Sequence, residues 1–77
     1  MIDTSKLIKT TIAQLTGAPV ESIFDENELY GELQLDLLAV IETVMIVEEA
    51  LSIEVTDEDI EAAKTVQDLI TTIDKTR

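Results

Sequence analysis

Seventy-seven residues are enough for one small domain, and such a chain buries only about 60 to 65 % of the surface that its unfolded form exposes. The composition is 45 % hydrophobic, with Phe24 and Tyr30 as the only aromatic residues. The core must therefore be aliphatic, which favours small helices over a β-sandwich. Seventeen acidic against five basic residues give a net charge of −12, which repels nucleic acids and anionic lipid headgroups. We expect one acidic, all-α domain over residues 1–77 that binds neither nucleic acid nor membrane.

The residue types that carry most catalytic and metal chemistry are missing. With no His and no Cys, the chain lacks the commonest general base, the usual thiol nucleophile and the preferred zinc ligands, so we expect no enzymatic activity. Four acids follow the first, third, fifth and twelfth positions of an EF-hand loop: Asp57, Asp59, Glu61 and Asp68. Ala62 stands where that loop needs Gly, and its last ligand would be Asp instead of Glu. We therefore expect no metal site.

The acidic charge is concentrated in the middle of the chain. The basic residues are Lys6, Lys9, Lys64, Lys75 and Arg77, so residues 10–63 hold fourteen acids and no positive charge. This surface is either a solvated, solubilising face or a docking surface for basic partners. The second alternative follows from the charge, since a surface of one sign raises encounter rates and rejects wrong partners. No apolar run approaches the roughly 20 residues that a membrane span needs, and we expect a cytoplasmic protein.

The first predicted element is a helix over residues 3–16. Ile8, Ile12 and Leu15 follow helical spacing, and Gly17 can take the left-handed conformation that ends a helix. Three residues are available as N-cap: Asp3, Thr4 or Ser5. The next eighteen residues mix acids with isolated apolar anchors: Val20, Ile23, Phe24, Leu29, Leu33 and Leu35. This pattern predicts a long loop pinned to the core, with one short turn over residues 20–24.

The longest periodic run predicts a second helix over residues 37–51, with Asp36 as its N-cap. One stripe is assigned to the core: Val40, Val44, Val47 and Leu51. Roughly opposite lies an apolar group flanked by carboxylates: Leu38, Ile41 and Met45 beside Glu42, Glu48 and Glu49. These residues form either a docking surface or merely scattered exposed apolar side chains, which are normal singly.

Two successive capping signals predict two further helices. Thr56 with Asp59 opens a short helix to about residue 63, and Thr65 with Asp68 opens another. The inward face of the last helix is Val66, Leu69, Ile70 and Ile73. The sequence therefore predicts an acidic four-helix bundle of three long helices and one short helix.

This order of elements, with three of its segments, resembles the acyl carrier protein family over nearly the whole chain. The segments are Leu33-Gln34-Leu35-Asp36-Leu37-Leu38, Ile53-Glu54-Val55-Thr56-Asp57-Glu58-Asp59 and Thr65-Val66-Gln67-Asp68. The family is a four-helix bundle that holds acyl chains as thioesters on a 4′-phosphopantetheine arm. The arm is attached to the Ser of a Gly-x-Asp-Ser-Leu motif at the start of the second helix, and basic surfaces of partner enzymes dock on that helix.

The resemblance implies site residues on the second helix. Asp36 and Leu38 match the Asp and Leu of the attachment motif, and Leu37 occupies the position of the modified Ser. Partner docking would fall on the face already isolated by helical spacing: Leu38, Ile41, Glu42, Met45, Glu48 and Glu49. The partners implied are carrier-dependent enzymes of fatty acid or polyketide biosynthesis, and we expect a monomer.

The motif departs from the family at two positions. Leu37 replaces the Ser and Gln34 replaces the Gly. A leucine has no hydroxyl, so we expect no phosphopantetheine on this chain; Ser5, Ser22 and Ser52 lie outside the motif. Three accounts remain open: an active carrier whose Ser was replaced, leaving it locked in the apo form; a natural carrier-like protein without the arm that acts as an interaction or regulatory subunit; or an acidic bundle with an unrelated role.

Overall fold

The computed structural model describes residues 2–77. All elements of regular secondary structure assigned to these residues are helices. The elements are α1 (Thr4–Thr16), a short 3₁₀ helix (Val20–Ser22), α2 (Leu37–Leu51), α3 (Asp57–Ala62) and α4 (Val66–Thr76). This confirms the predicted all-α bundle of three long helices and one short helix. Within residues 2–77, no helix is long and apolar enough to cross a membrane.

Side-chain caps define where the helices begin. Asp36 accepts a hydrogen bond from the Ala39 N–H at 2.8 Å and so starts α2. The other three starts use Asp3, Thr56 and Thr65, each accepting from the backbone N–H three residues further on. Each cap satisfies an amide that the helix leaves free. The predicted starts of α2, α3 and α4 are confirmed, and among the three candidates for α1 the cap is Asp3. The third helix ends at Ala62, one residue earlier than predicted.

The core consists of aliphatic side chains from all four helices. The valine stripe of α2 is fully buried, with Val40, Val44 and Val47 at 0 to 1 % exposure. α1 packs against α2 and α4, and α3 packs against α2. The other buried apolar residues of the helices are Ile8, Ile12, Ile60, Val66, Leu69, Ile70 and Ile73. Fully burying one such side chain stabilises the fold by about 1.5 to 3 kcal/mol.

One apolar position of α1 is exposed, and one predicted core position of α2 is only partly buried. Leu15 continues the apolar spacing of α1 but is 40 % exposed, since it lies in the last turn, just before the chain turns away at Gly17. Leu51, at the end of α2, is only partly buried. Thr4 and Thr11 are buried on α1 instead. Their hydroxyls have partners, because Thr11 Oγ1 donates to the Leu7 carbonyl at 2.8 Å and Thr4 Oγ1 donates to Asp74 at 2.7 Å.

The long loop between α1 and α2 is pinned, as predicted. Leu29 is fully buried, and its backbone N–H donates to the Lys64 carbonyl at 2.8 Å. The Val66 N–H donates to the Asn27 carbonyl at 3.0 Å, so the loop is hydrogen-bonded to the junction between α3 and α4. Since buried backbone groups need partners, these bonds hold the loop in one place.

Not every predicted anchor of the loop is buried. Ile23 and Leu35 are buried and Leu33 is partly buried, but Val20 is 40 % and Phe24 is 53 % exposed. The Phe24 N–H donates to the Asn27 side chain at 2.8 Å, so at this point the loop is held by a polar turn instead of apolar burial.

Asp68 connects the loop before α4 to the helix itself. Its Oδ2 accepts from the N–H groups of Lys64 at 2.8 Å and Thr65 at 3.1 Å, while Thr65 Oγ1 accepts from the Asp68 N–H. These hydrogen bonds hold the pKa of the Asp68 carboxyl below its usual value of 3.8, and the bond from the Lys64 N–H has the largest effect. Burial opposes this shift. The ionised form is therefore the one that the fold stabilises.

We predict that Asp68→Ala lowers the free energy of unfolding at pH 7 by about 1 kcal/mol, because it leaves two capped amides without their acceptor. A depressed folded pKa gives stability that is present above the unfolded value of 3.8 and is lost as pH falls through the folded pKa. The difference between the parent and Asp68→Ala should thus shrink towards pH 3. Urea unfolding at both pH values measures it. Asp68→Asn, which keeps an acceptor oxygen without the charge, should lie between the two; a constant difference for Asp68→Ala would contradict the assignment.

Candidate functional site

The three residues predicted to form the attachment motif lie together at the start of α2. Asp36 has an extended backbone and caps the helix, and Leu37 is the first helical residue. Leu37 is 44 % exposed and Leu38 is 63 % exposed. The positive end of a helix favours anionic groups, including phosphate. A side chain at position 37 is thus open to a second molecule, but the leucine there offers only hydrocarbon and does not fit a phosphopantetheine arm.

The backbone explains the importance of the position three residues before Leu37. Gln34 has φ +53°, in the left-handed region. Its N–H donates to the Gly31 carbonyl at 3.0 Å, within the turn that leads into α2. Any residue with a Cβ is strained in this conformation by about 1 to 2 kcal/mol, whereas glycine is not. Gln34 therefore has a backbone conformation that favours glycine.

Most of the predicted docking residues form an exposed surface on the outward side of α2. Leu38 and Met45 are 63 % and 58 % exposed, and the carboxylates of Glu42 and Glu49 are exposed beside them. Ile46 is also 44 % exposed and lies one turn from both glutamates. We call these five residues, Leu38, Glu42, Met45, Ile46 and Glu49, the outer strip.

Helical spacing alone missed Ile46. Its neighbour Val47 is fully buried, and a stripe analysis that begins from the core valines leaves Ile46 unassigned. The signal that could have identified Ile46 as exposed is its angular position, about 100° from that of Val47 on a helical wheel.

The two remaining predicted docking residues make contacts within the bundle. Ile41 is partly buried and packs against the core. Glu48 is partly buried, and its Oε2 accepts from the Val55 N–H at 2.7 Å. The Glu48 backbone carbonyl also accepts from the Ile53 N–H at 3.0 Å. Glu48 thus fixes the connection between α2 and α3, a role that its position on the helical wheel did not indicate.

A small cleft separates the start of α2 from α3. It is lined by Leu37, Ile41, Asp57, Ile60 and Glu61 and has a volume of about 170 Å³. Nearby in the loop, burial and the charge of Glu61 raise the pKa of the Tyr30 hydroxyl above its usual value of 10.0.

The acids that resembled an EF-hand do not converge. Asp57, Asp59 and Glu61 lie on α3, and Asp68 lies on α4. Among residues 2–77, no group of three or more His, Cys, Asp or Glu side chains could hold a metal ion.

The chain is similar to known carrier proteins over most of its length. Residues 6–73 match the family described as "Phosphopantetheine attachment site". The acyl carrier protein of Helicobacter hepaticus is 33 % identical over 73 residues, covering 95 % of this chain and 96 % of that protein. Those of Desulforapulum autotrophicum and Buchnera aphidicola subsp. Baizongia pistaciae are each 37 % identical, covering 92 % of both chains in the first case and 97 % and 96 % in the second.

The chain therefore belongs to the acyl carrier protein family. Proteins of this family are carriers and not enzymes themselves, in agreement with the composition. The family cofactor is 4′-phosphopantetheine, and the family works with partner enzymes. Against this background, the leucine at position 37 is the feature of this chain that needs a functional account.

We predict that Gln34→Gly raises the free energy of unfolding by about 0.5 to 1 kcal/mol. Relief of left-handed strain exceeds the extra backbone entropy that glycine gives the unfolded chain. For a domain of this size the gain is a rise in Tm of about 2 to 8 °C, measurable by thermal circular dichroism. Gln34→Ala keeps the Cβ and is the matched control. An equal rise for both variants would show that the side chain, and not the backbone conformation, is responsible.

Proposed function

We propose that this protein is an apo-locked acyl carrier protein: it keeps the surface that carrier-dependent enzymes bind but cannot hold the arm on which an acyl chain would be carried. The observation that carries the proposal is the exposed Leu37 at the first position of α2, between the capping Asp36 and the exposed Leu38. The motif is accessible, and the group that it lacks is the hydroxyl. The activity from which this function would derive is the presentation of thioester-bound acyl chains to enzymes of fatty acid or polyketide biosynthesis.

The outer strip supports docking by basic partners. Its apolar side chains stand beside Glu42 and Glu49, on a stretch of chain without any positive charge between residues 10 and 63. Such a pattern attracts a surface that presents Lys or Arg around an apolar centre, and it increases the association rate more than the affinity. Docking requires no chemistry at Leu37, so it is separable from attachment of the arm.

A second function is favoured by Gln34. A carrier in which only the attachment residue had been replaced would keep the glycine that the left-handed backbone at position 34 prefers. The second change in the motif favours a carrier-like protein that works without the arm, as an interaction or regulatory subunit. In this function the protein occupies the carrier-binding surface of an enzyme and delivers no substrate.

Phosphopantetheinyl transfer distinguishes the two functions. Incubated with coenzyme A and a promiscuous phosphopantetheinyl transferase, the parent chain should gain no mass. Leu37→Ser should fold, because serine at the first helical position costs only a few tenths of a kcal/mol in helix propensity. If the apo-locked account is right, Leu37→Ser gains one phosphopantetheine in intact-mass spectrometry.

Leu37→Ala is the matched control, since it removes the leucine without supplying a hydroxyl, and it should stay unmodified. A folded Leu37→Ser that also stays unmodified would contradict the apo-locked account and support the armless subunit. A gain of mass by the parent chain would overturn both, because the arm would then be attached outside the motif.

We predict that Glu42→Lys or Glu49→Lys slows association with a carrier-dependent enzyme several-fold and weakens its salt dependence, without loss of helix content. Stopped-flow binding and circular dichroism measure the two quantities. Glu21→Lys, at an exposed position of the 3₁₀ helix, makes the same change of charge away from α2 and should have the smaller effect. Equal association rates for the variants of α2 and the parent would remove the docking surface from the proposal.

A further inference from the structure

The cleft between α2 and α3 has an apolar interior and an acidic rim. Its apolar walls are the side chains of Leu37 and Ile41 from α2 and Ile60 from α3. Ile60 is 5 % exposed and Ile41 is partly buried, so these two belong to the fixed structure of the bundle. Leu37, at 44 % exposure, is the wall nearest to solvent. The remaining lining residues, Asp57 and Glu61, are exposed acids.

The size of the cleft limits what can enter it. Its volume is about 170 Å³, close to the roughly 150 Å³ of an engineered apolar cavity that binds benzene. Small-molecule sites are larger, about 300 to 1,000 Å³. The cleft therefore accommodates a single group of about the size of a phenylalanine or leucine side chain.

The acidic rim determines which charged residues of a partner can lie around the inserted group. Asp57 and Glu61 are both negative. The nearest basic residues in the sequence are Lys9 before them and Lys64 after them. A free carboxylate or phosphate would be repelled at this rim, whereas Lys or Arg side chains would be attracted. Binding centres commonly consist of one apolar anchor in a small pocket surrounded by a polar rim that excludes water.

We propose that the cleft between α2 and α3 holds one phenylalanine or leucine side chain of a partner protein, from a segment in which Lys or Arg residues flank this anchor. This proposal rests on the proposed function, since it specifies the partner segment that meets the carrier surface. Leu37 then has a binding role of its own. Its side chain forms the outer apolar wall of the anchor site, at the position where the family has the residue that bears the arm.

A designed peptide pair tests the anchor. The probe is the capped peptide Lys-Lys-Phe-Lys-Lys, and its control is Lys-Lys-Ala-Lys-Lys, titrated into the full-length protein labelled with ¹⁵N. We expect the Phe peptide to shift the amide resonances of Ile41, Ile60 and Glu61 and to bind about tenfold more tightly than the Ala peptide. Equal affinities, or shifts confined to residues outside the cleft, would overturn the proposal.

Paired variants test the rim and the outer wall. Glu61→Lys should weaken binding of the Phe peptide several-fold more than Glu58→Lys, because both residues are exposed on α3 and only Glu61 lines the cleft. Leu37→Ala should reduce the ratio of Phe-peptide affinity to Ala-peptide affinity, since it removes apolar wall and no charge. Equal effects of Glu61→Lys and Glu58→Lys would mean that the peptide senses only net charge, which contradicts an anchor site.

A neutral acyl probe tests the competing occupant. Octanoyl-pantetheine has a long apolar chain and no positive charge, so we expect it to shift the Ile41 and Ile60 resonances less than the Phe peptide at equal concentration. A larger shift with octanoyl-pantetheine that persists in Glu61→Lys would assign the cleft to an acyl chain and overturn the proposal.

Enzyme binding separates this proposal from the proposed function. If Glu42→Lys slows docking to a carrier-dependent enzyme while Leu37→Ala and Glu61→Lys do not alter it, the docking function stands and the anchor site is wrong. If the Phe peptide binds in the cleft while no carrier-dependent enzyme binds the parent chain, the anchor site stands and the carrier partner is wrong.

Discussion

The rotation of α2 is the constraint on which the rest of the structure depends. Val40, Val44 and Val47 are buried against the bundle, and a helix with 3.6 residues per turn can bury only one side in this way. Once those valines lie inside, Leu38 and Met45 must face outward. The exposed apolar side chains are therefore a consequence of core packing, and the same burial fixes the helix that carries them. The backbone of a docking surface on a helix fixed in this manner loses little conformational entropy when a partner binds.

The pinned loop fixes the point at which α2 begins. Leu29 is buried and hydrogen-bonded to the junction before α4, and the chain then passes through the left-handed Gln34 to the capping Asp36. The N-terminal end of α2 is thereby held beside α3, which creates the cleft next to Leu37. Loop, cap and cleft thus belong to one arrangement, and a change at position 34 acts on the site through the backbone.

The sequence predicted the helices, their caps, the motif at Asp36 and most of the outer strip, because periodicity and capping are local properties of the chain. It did not predict where the bundle stops covering a helix, so the spacing gave no sign that Leu15, which continues the apolar pattern of α1, is exposed. It also assigned Glu48 to docking alone, although that side chain holds the Val55 amide. Such contacts join residues that only the tertiary fold brings together. The cleft beside Ile60 could not be predicted for the same reason, since its walls come from two helices.

Loss of the attachment residue has little effect on the fold. The first helical position leaves its N–H outside the intrahelical bonding pattern, and the Leu37 side chain is half exposed, so neither hydrogen bonding nor core packing selects a particular residue there. Asp36 keeps its bond to Ala39 whatever follows it. The geometry that presents position 37 to a second molecule therefore persists without a hydroxyl. What changes is the kind of molecule that this geometry suits: a hydrocarbon beside an apolar cleft and an acidic rim favours contact with a protein side chain over covalent chemistry.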